Sequence, residues 1–160
     1  MSLSRMASPP EAIHAIQVPK GPRLSVTDLP LASLSYSKHD VVISLLDPGT
    51  VLDWQHPRHQ VFWVDDVEHA WRSFPSKAFL DALLNVDLAG AATVLIHCHG
   101  GFSRSPAAAM LWARKLGTGL RAIERGIDWD RADPNRLILA LGEDRLGLGR
   151  SLRDMAYRRT

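Results

Sequence analysis

Residues 91–116, AATVLIHCHGGFSRSPAAAMLWARKL, decide the fold of this chain. An apolar run with several β-branched residues ends at Ile96, which predicts a buried strand. Helix-forming residues follow from Ser105, and Pro106 stands early in the first turn, where proline is tolerated. A glycine pair lies between the strand and the helix. Strand, glycine loop and helix N-terminus together turn backbone N–H groups inward, where they can hold an oxyanion.

The loop also carries residue types that suit nucleophilic chemistry. It contains the only cysteine of the chain, Cys98. A thiol at a helix N-terminus near a guanidinium can have its pKa lowered from about 8.5 to roughly 3.5–7.5. Arg104 offers a planar fork of donors that matches two oxygens of a phosphate. The Ser105 hydroxyl can donate a hydrogen bond to the sulfur and so help it to leave in a second step. His97 can hydrogen-bond the backbone around the loop, which indicates a structural role.

Each of these residues alone predicts little. A single cysteine at a strand end is usually a small buried hydrophobe, and a single loop arginine is usually solvated. The whole string, with a strand before it and a helix after it, predicts a functional loop. The side chains of His97, Cys98 and His99 would diverge from a strand, and no second cluster with zinc spacing occurs, so we expect no metal and no cofactor. No Walker loop is present, which leaves nucleotide hydrolysis by such a loop unsupported.

Residues 97–105, HCHGGFSRS, resemble the H-C-x5-R-S/T signature of the protein tyrosine phosphatase superfamily. They are most similar to its small, single-domain, dual-specificity-like bacterial branch, although Gly100 stands where alanine is usual. Two flanking segments fit more weakly, VISLLDP at residues 42–48 and PNRLILAL at residues 134–141. The resemblance spans roughly residues 22–146. It implies an α/β fold with a central, parallel-rich sheet of about four to five strands flanked by helices.

The resemblance also implies the roles of the loop residues. Cys98 would be the nucleophile, and Arg104 and Ser105 would be its catalytic partners. The phosphate-binding loop would comprise His97, His99, Gly100, Gly101, Phe102 and Ser103, with His99 and Phe102 lining the pocket.

A phosphatase of this kind also needs a general acid, because the leaving oxygen must be protonated. The resemblance implies an aspartate on a mobile loop a few tens of residues before the cysteine. Asp66, 32 positions before Cys98, is the first candidate. Asp65 is the second and Glu68 the third. Strand alternation would point Asp65 and Asp66 to opposite faces, so only one of them would face the loop. Alternatively, the Asp-Asp pair only caps the turn into the next helix.

The resulting hypothesis is a cysteine-dependent phosphatase that hydrolyses phosphate monoesters through a cysteinyl-phosphate intermediate. Its expected partner is a phosphorylated protein (phosphotyrosine, and also phosphoserine or phosphothreonine) or a small phosphate monoester. Two alternatives stay open, a catalytically silent phosphate-recognition module and a phosphoinositide phosphatase. Residues 99–103 contain no lysine, which argues against a highly anionic inositide. A sulfurtransferase fits the signature poorly.

Composition agrees with one ordinary globular domain. The chain has 160 residues, 46% of them hydrophobic and 22% charged, and this size permits a substantial core. A net charge of +2 does not indicate a nucleic-acid surface. The basic residues at 145–160 are interpreted as a solvated helix face. We expect an N-terminal extension at residues 1–20, partly disordered, and a single phosphatase domain at residues 21–160.

Cysteine usage and hydropathy bear on the compartment. One cysteine excludes an internal disulfide, which is consistent with a reducing compartment. No targeting signal is evident, and the longest apolar stretch is interrupted by acids and an asparagine, so no membrane span is expected. The sequence therefore favours a cytoplasmic location. It does not indicate an oligomeric state.

Periodicity and turn residues predict the order of the elements. Predicted strands cover residues 23–27, 40–46, 60–64 and 93–96, with 13–18 as a further edge strand. Predicted helices cover residues 31–36, 75–86, 106–116, 120–125, 134–142 and 148–157. Asp133 is the expected N-cap of the helix at 134–142.

Overall fold

In the computed structural model, residues 12–69 and 75–158 are described. The strands are β1 (His14–Gln17), β2 (Arg23–Thr27), β3 (Val41–Leu46), β4 (His59–Trp63) and β5 (Thr93–His97). The helices are α1 (Leu29–Ser35), α2 (Lys77–Leu84), α3 (Arg104–Lys115), α4 (Leu120–Gly126), α5 (Arg136–Leu146) and α6 (Ser151–Tyr157), and a 3-10 turn covers Tyr36–Lys38.

The strands form one sheet in the order β1-β2-β5-β3-β4. Strand β5 lies at the centre and runs parallel to β2 and β3, while β4 runs parallel to β3. Strand β1 pairs antiparallel with β2 at one edge. The carboxyl ends of the four parallel strands therefore meet at one edge of the sheet, where open α/β sheets place their ligands.

Both faces of the sheet are covered, which explains the uninterrupted burial of β3. The main core packs α2, α3, α5 and α6 on one face, and a smaller cluster of Ala32, Val42, Trp54 and Leu95 fills the other. Helix α3 is buried from Arg104 to Ala113. At Gly142 in α5, an added Cβ would lie 2.9 Å from Cγ of the buried Leu111, so these two helices pack in close contact.

The predicted α/β class, the parallel-rich sheet and the edge strand are confirmed. One expectation was wrong, because α5 is capped by Asn135 and not by Asp133. The Asn135 side chain accepts the Ile138 N–H at 2.9 Å, and the helix begins at Arg136. Helix α6 begins three residues later than expected, since Gly147 and Gly149 adopt φ near +70°.

Arginines of the basic C-terminal segment pair with acidic side chains. Arg145 contacts Asp81, Arg150 contacts Asp154, Arg153 contacts the buried Glu143, and Arg158 contacts Glu124. Residues 1–11 of the expected extension, and residues 159–160 of this segment, lie outside the described residues. Over the two described ranges, no helix combines the length and apolar character needed to cross a bilayer.

Candidate active site

The Cys98 sulfur lies inside the curl of the loop that follows β5. The Gly101 N–H donates to it at 3.3 Å, and the Ser105 hydroxyl lies 3.1 Å from it. The residue is only 2% exposed. The loop and the first turn of α3 thus place one N–H donor and one hydroxyl around the sulfur that the sequence singles out.

The carbonyl groups of the loop point outward. The Leu29, Asp133 and Asn135 N–H groups donate to the carbonyl oxygens of residues 99, 102 and 103, at 2.7–3.1 Å. The His97 ring lies 3.2 Å from the Cys98 carbonyl oxygen, and the His14 ring lies 3.0 Å from that of Gly101. Because each peptide plane carries its N–H opposite its C=O, outward carbonyls direct N–H groups into the curl.

The N-terminus of α3 supplies further donors. Its cap residue, Ser103, makes no side-chain capping bond, since its hydroxyl donates to Asp66 at 2.7 Å instead. The first N–H groups of a helix have no intrahelical acceptor, and the helix dipole favours a negative charge there. This 12-residue helix can therefore stabilise an anion next to the Cys98 sulfur.

Gly101 lets the loop curl tightly against β2. Its φ is +74°, and a Cβ at this position would lie 2.8 Å from the Thr27 carbonyl carbon and 2.9 Å from the Asp28 nitrogen. Backbone cannot yield as a flexible side chain can, so only glycine fits here.

The Arg104 side chain is buried and fixed on one side only. Its Nη1 donates to Asp47 Oδ1 at 2.7 Å and to the Val64 carbonyl at 2.8 Å. Its Nε is buried and has no hydrogen-bond partner among the described residues. An unpaired buried donor is costly, and a guanidinium N–H is a strong donor to an oxyanion. The geometry thus holds one part of the fork and leaves another part available to a ligand.

Sequence reasoning gave no role to Asp47. It directly follows β3, at the edge of the sheet where the loops converge. Because ligands of such sheets bind at this edge, the position of Asp47 could have identified it as a site residue. The Asp47 N–H donates to His99 Nε2 at 3.1 Å, and the Thr50 hydroxyl lies 3.3 Å from the same nitrogen. His99 therefore braces the turn that holds Arg104, and its Nε2 acts as an acceptor in this arrangement.

His97 is buried behind the loop. Its Nε2 and the His59 Nε2 both lie 2.6 Å from the Ser44 hydroxyl, which bridges the two rings. Burial lowers the pKa of His97 to about 4, and burial also lowers the pKa of His59. With both rings neutral, the Ser44 hydroxyl can donate to one ring and accept from the other. His97 therefore holds the loop and does not act as a proton donor at neutral pH.

The three acid candidates occupy different places. Asp66 Oδ1 accepts hydrogen bonds from Ser103 at 2.7 Å and from Asn135 Nδ2 at 2.9 Å, which places Asp66 against the loop. Glu68 instead accepts the Arg136 N–H at 2.8 Å, at the start of α5. Asp65 is half-buried and precedes Asp66 on the segment after β4.

Asn135 joins residues 64–68, which follow β4 and carry the acid candidates (the acid segment), to the loop. Besides its bond to Asp66, its Nδ2 donates to the Val67 carbonyl at 3.1 Å, and its backbone N–H donates to the Ser103 carbonyl. Sequence reasoning noted it only as part of a helix start. The Pro-Asn pair before α5 was the feature of the sequence that could have drawn attention to the Asn135 side chain.

A groove of about 410 Å³ opens beside the loop. Its walls are formed by Gly100, Phe102, Asp130, Arg131, Ala132 and Asp133. The Phe102 ring is 52% exposed. Across residues 12–69 and 75–158, no three His, Cys, Asp or Glu side chains are grouped closely enough to hold a metal ion.

No family model and no curated protein matches this sequence. Solved structures do match. The Cydia pomonella PTP-2 phosphatase is 18% identical, with 82% of this chain and 89% of that chain aligned at a TM-score of 0.56. DUSP15 is also 18% identical, with coverages of 92% and 96% and a TM-score of 0.56. PTPMT1 in complex with PI(5)P is 13% identical, with coverages of 91% and 99% and a TM-score of 0.55. The chain therefore has the fold that these phosphatase structures share.

Proposed function

We propose that this protein is a cysteine-dependent phosphatase that hydrolyses phosphate monoesters. The observation that carries the proposal is the environment of Cys98. Its sulfur lies between the Gly101 N–H and the Ser105 hydroxyl, at the uncapped N-terminus of α3. The unpaired Nε of Arg104 adds a charged donor at the same loop. A thiolate and a phosphate would both be stabilised by such donors.

In the first step, the Cys98 thiolate attacks phosphorus in line with the leaving oxygen. A P–S bond forms as the P–O bond to the leaving group breaks. The inward N–H groups and Arg104 hold the three equatorial oxygens, where charge is concentrated in the transition state. Because these donors are already in place, little reorganisation is needed.

Asp66 would protonate the departing oxygen. Its Oδ1 already accepts two hydrogen bonds, from Ser103 and Asn135. An oxygen that accepts two donors is a poor site for a proton, so Oδ2 is the atom that would carry and deliver it. The contact with Ser103 supports Asp66 over Glu68, whose carboxylate is engaged at α5.

In the second step, water attacks the phosphorus of the cysteinyl-phosphate and Asp66 takes a proton from it. The P–S bond breaks, the sulfur leaves as a thiolate, and inorganic phosphate is released. Ser105 stabilises the departing sulfur by donating its hydroxyl hydrogen. The step uses only residues of the loop and of the acid segment.

We assign phosphorylated side chains of proteins, phosphotyrosine first, as the substrate class. The groove beside the loop can receive residues that flank the phosphate, and the exposed Phe102 ring offers an apolar contact to an aryl group. A phosphoinositide is the competing substrate, since the similar PTPMT1 structure contains PI(5)P. Residues 99–103 lack the lysine that a multiply charged headgroup would favour.

The test is turnover of p-nitrophenyl phosphate by the purified protein, followed by a panel of phosphotyrosine, phosphoserine and phosphothreonine peptides and PI(5)P. We expect Cys98→Ser to abolish turnover while the melting temperature stays close to that of the wild type. Full activity in Cys98→Ser, or none in the wild type, would overturn the proposal. The second result, combined with retained phosphopeptide binding, would identify a recognition module.

The acid assignment is tested by Asp66→Asn with Asp65→Asn as its matched control. Loss of a general acid costs about 10²–10⁴-fold in rate. We therefore expect kcat of Asp66→Asn to fall by about that factor, with KM little changed. A collapse in Asp65→Asn with normal rates in Asp66→Asn would transfer the role to Asp65.

A further inference from the structure

The edge strand β1 brings one side chain to the phosphate-binding loop. His14 is 2% exposed, and its Nε2 lies 3.0 Å from the Gly101 carbonyl oxygen. On the opposite side of the ring, Nδ1 accepts the Asp128 N–H at 2.9 Å. His14 therefore links β1, the loop around Cys98 and the segment before α5 that forms a wall of the groove.

The hydrogen bonds determine the state of the ring. An imidazole that accepts at Nδ1 must carry its hydrogen at Nε2 to be neutral, and that hydrogen then points at the Gly101 carbonyl. Burial lowers the pKa of His14, and Arg131 acts in the same direction, whereas the Gly101 carbonyl and Asp128 oppose the shift. The ring is consequently neutral at neutral pH and donates at one nitrogen only.

Gly101 is the residue whose N–H contacts the Cys98 sulfur. Outside contacts hold its peptide groups from two directions, the backbone of residues 27–28 by close packing and His14 by a hydrogen bond. Leu29, Asp133 and Asn135 hold the carbonyls of residues 99, 102 and 103 through backbone N–H groups. Among the described residues, His14 is thus the side chain from outside the loop that orients a loop carbonyl.

We propose that His14 is a positioning residue, because its bond to the Gly101 carbonyl fixes the peptide group between Gly101 and Phe102 and so turns the Phe102 N–H toward the interior of the loop, where the Cys98 sulfur and the bound anion lie. The proposal rests on the proposed phosphatase function but concerns the loop itself. Loss of the Nε2–H donor would leave the Gly101 carbonyl buried and unpaired, and the peptide group that follows this permissive glycine would be free to rotate. The loop would then lose an inward N–H donor without any change in its own sequence.

The experiment follows Cys98 directly, without turnover. Because Cys98 is the only thiol of the chain, the rate of alkylation by iodoacetamide as a function of pH reports on this thiolate alone. Protection from alkylation by inorganic tungstate reports on the oxyanion site. Both readouts stay informative if the protein proves to have no phosphatase activity, so failure of this proposal is distinguishable from failure of the proposed function.

Two conservative variants separate the two hydrogen bonds. His14→Gln can place a donor near the Nε2 position, and His14→Asn can place an acceptor near the Nδ1 position. We expect His14→Ala and His14→Asn to alkylate about tenfold more slowly at mildly acidic pH and to need about tenfold more tungstate for protection. His14→Gln should recover most of both effects, since it restores the bond to Gly101.

Ile16→Ala is the matched control, because Ile16 is equally buried in β1 and belongs to the core. It should lower the melting temperature without moving the alkylation profile. The proposal is overturned if His14→Gln behaves like His14→Asn, if all three variants match the wild type, or if Ile16→Ala reproduces their profile at an equal loss of melting temperature. Should His14→Ala fail to fold, the comparison of Gln with Asn still decides.

Discussion

At the scale of single residues, the position of Arg104 depends on the side chains and backbone groups that hold it. Arg104 is held at Nη1 by Asp47, and Asp47 is held by its N–H to His99. The direction of the guanidinium fork is set by this pair together with the Val64 carbonyl. Asp47 is half-exposed, so its ion pair with Arg104 contributes little to stability. Its main effect is to fix the orientation of the guanidinium group.

Replacement of Asp47 tests this arrangement. In Asp47→Ala, Arg104 keeps its hydrogen bond to the Val64 carbonyl but loses its carboxylate partner. The guanidinium group should therefore shift by a fraction of an ångström. We expect kcat/KM for aryl phosphates to fall by about 10²-fold, as misplacement of a positioned group commonly costs. Asp47→Asn, which keeps one acceptor oxygen, should lose much less.

The matched control is Asp53→Ala, an exposed aspartate on the same connection between β3 and β4. It removes one negative charge from the same connection and leaves the Asp47 carboxylate that holds Arg104 in place. Equal losses in the two alanine variants would show that overall charge, and not the hold on Arg104, controls the rate.

At the scale of elements, three neighbouring strands are joined by one hydroxyl. Ser44 in β3 bridges His59 in β4 and His97 in β5, and Trp54 stacks on His59 with 4.8 Å between ring centroids. The loop that carries Cys98 begins directly after this bridge. Hydrogen bonds between side chains of three strands therefore support the start of the loop. This arrangement requires both imidazole rings to be neutral.

This network predicts a loss of stability in mild acid. The pKa of His97 is lowered from 6.5 to about 4 in the folded protein. The unfolded chain therefore binds more protons between these two values, and stability is full above pH 6.5 and falls as the pH is lowered toward 4. The change from His97 alone is about 3 kcal/mol.

Urea unfolding measured from pH 7 to 4.5 checks this expectation. The free energy of unfolding should fall steadily, and His59→Gln should show a smaller slope because a second ring with a lowered pKa is removed. A free energy that stays level across this range would contradict the assignment of buried neutral histidines.

At the scale of the whole molecule, the site is formed where four segments that are distant in sequence meet. The loop after β5, the turn after β3, the acid segment after β4 and the start of α5 meet at one edge of the sheet. Each is joined to the loop by at least one hydrogen bond. An anion bound to the loop would therefore be held by several elements of the fold at once.

We accordingly expect an oxyanion to stabilise the whole protein. At about 100 times its Kd, tungstate should add about 2.7 kcal/mol to the free energy of unfolding, which corresponds to roughly 5–10 °C in Tm for a protein of this size. Arg104→Lys should lose most of this shift, because an ammonium lacks the fork.

Arg114→Lys serves as its control, since Arg114 lies in the same helix and bonds to the Thr118 carbonyl, away from the loop. This variant should retain the full shift in Tm. An absent shift in the wild type, or an equal shift in Arg104→Lys, would show that Arg104 does not hold the anion.

Much of this molecule was determined by local sequence alone. The strand before Cys98, the helix after it and the order of elements follow from hydrophobic period, β-branched residues, glycine and proline, which act over a few neighbouring positions. The same local pattern marked Cys98, Arg104 and Ser105, because the loop and helix that hold them are contiguous.

Only the tertiary structure decided which distant side chains complete the site. Asp47 lies 57 positions from Arg104, and His14 lies 87 positions from Gly101. Such pairs depend on strand order, on the register of β1 against β2 and on which face of a turn a side chain occupies, and no short pattern encodes these. Asn135 illustrates the same point, because its sequence indicated a helix start, whereas its contacts made it the link between Asp66 and the loop.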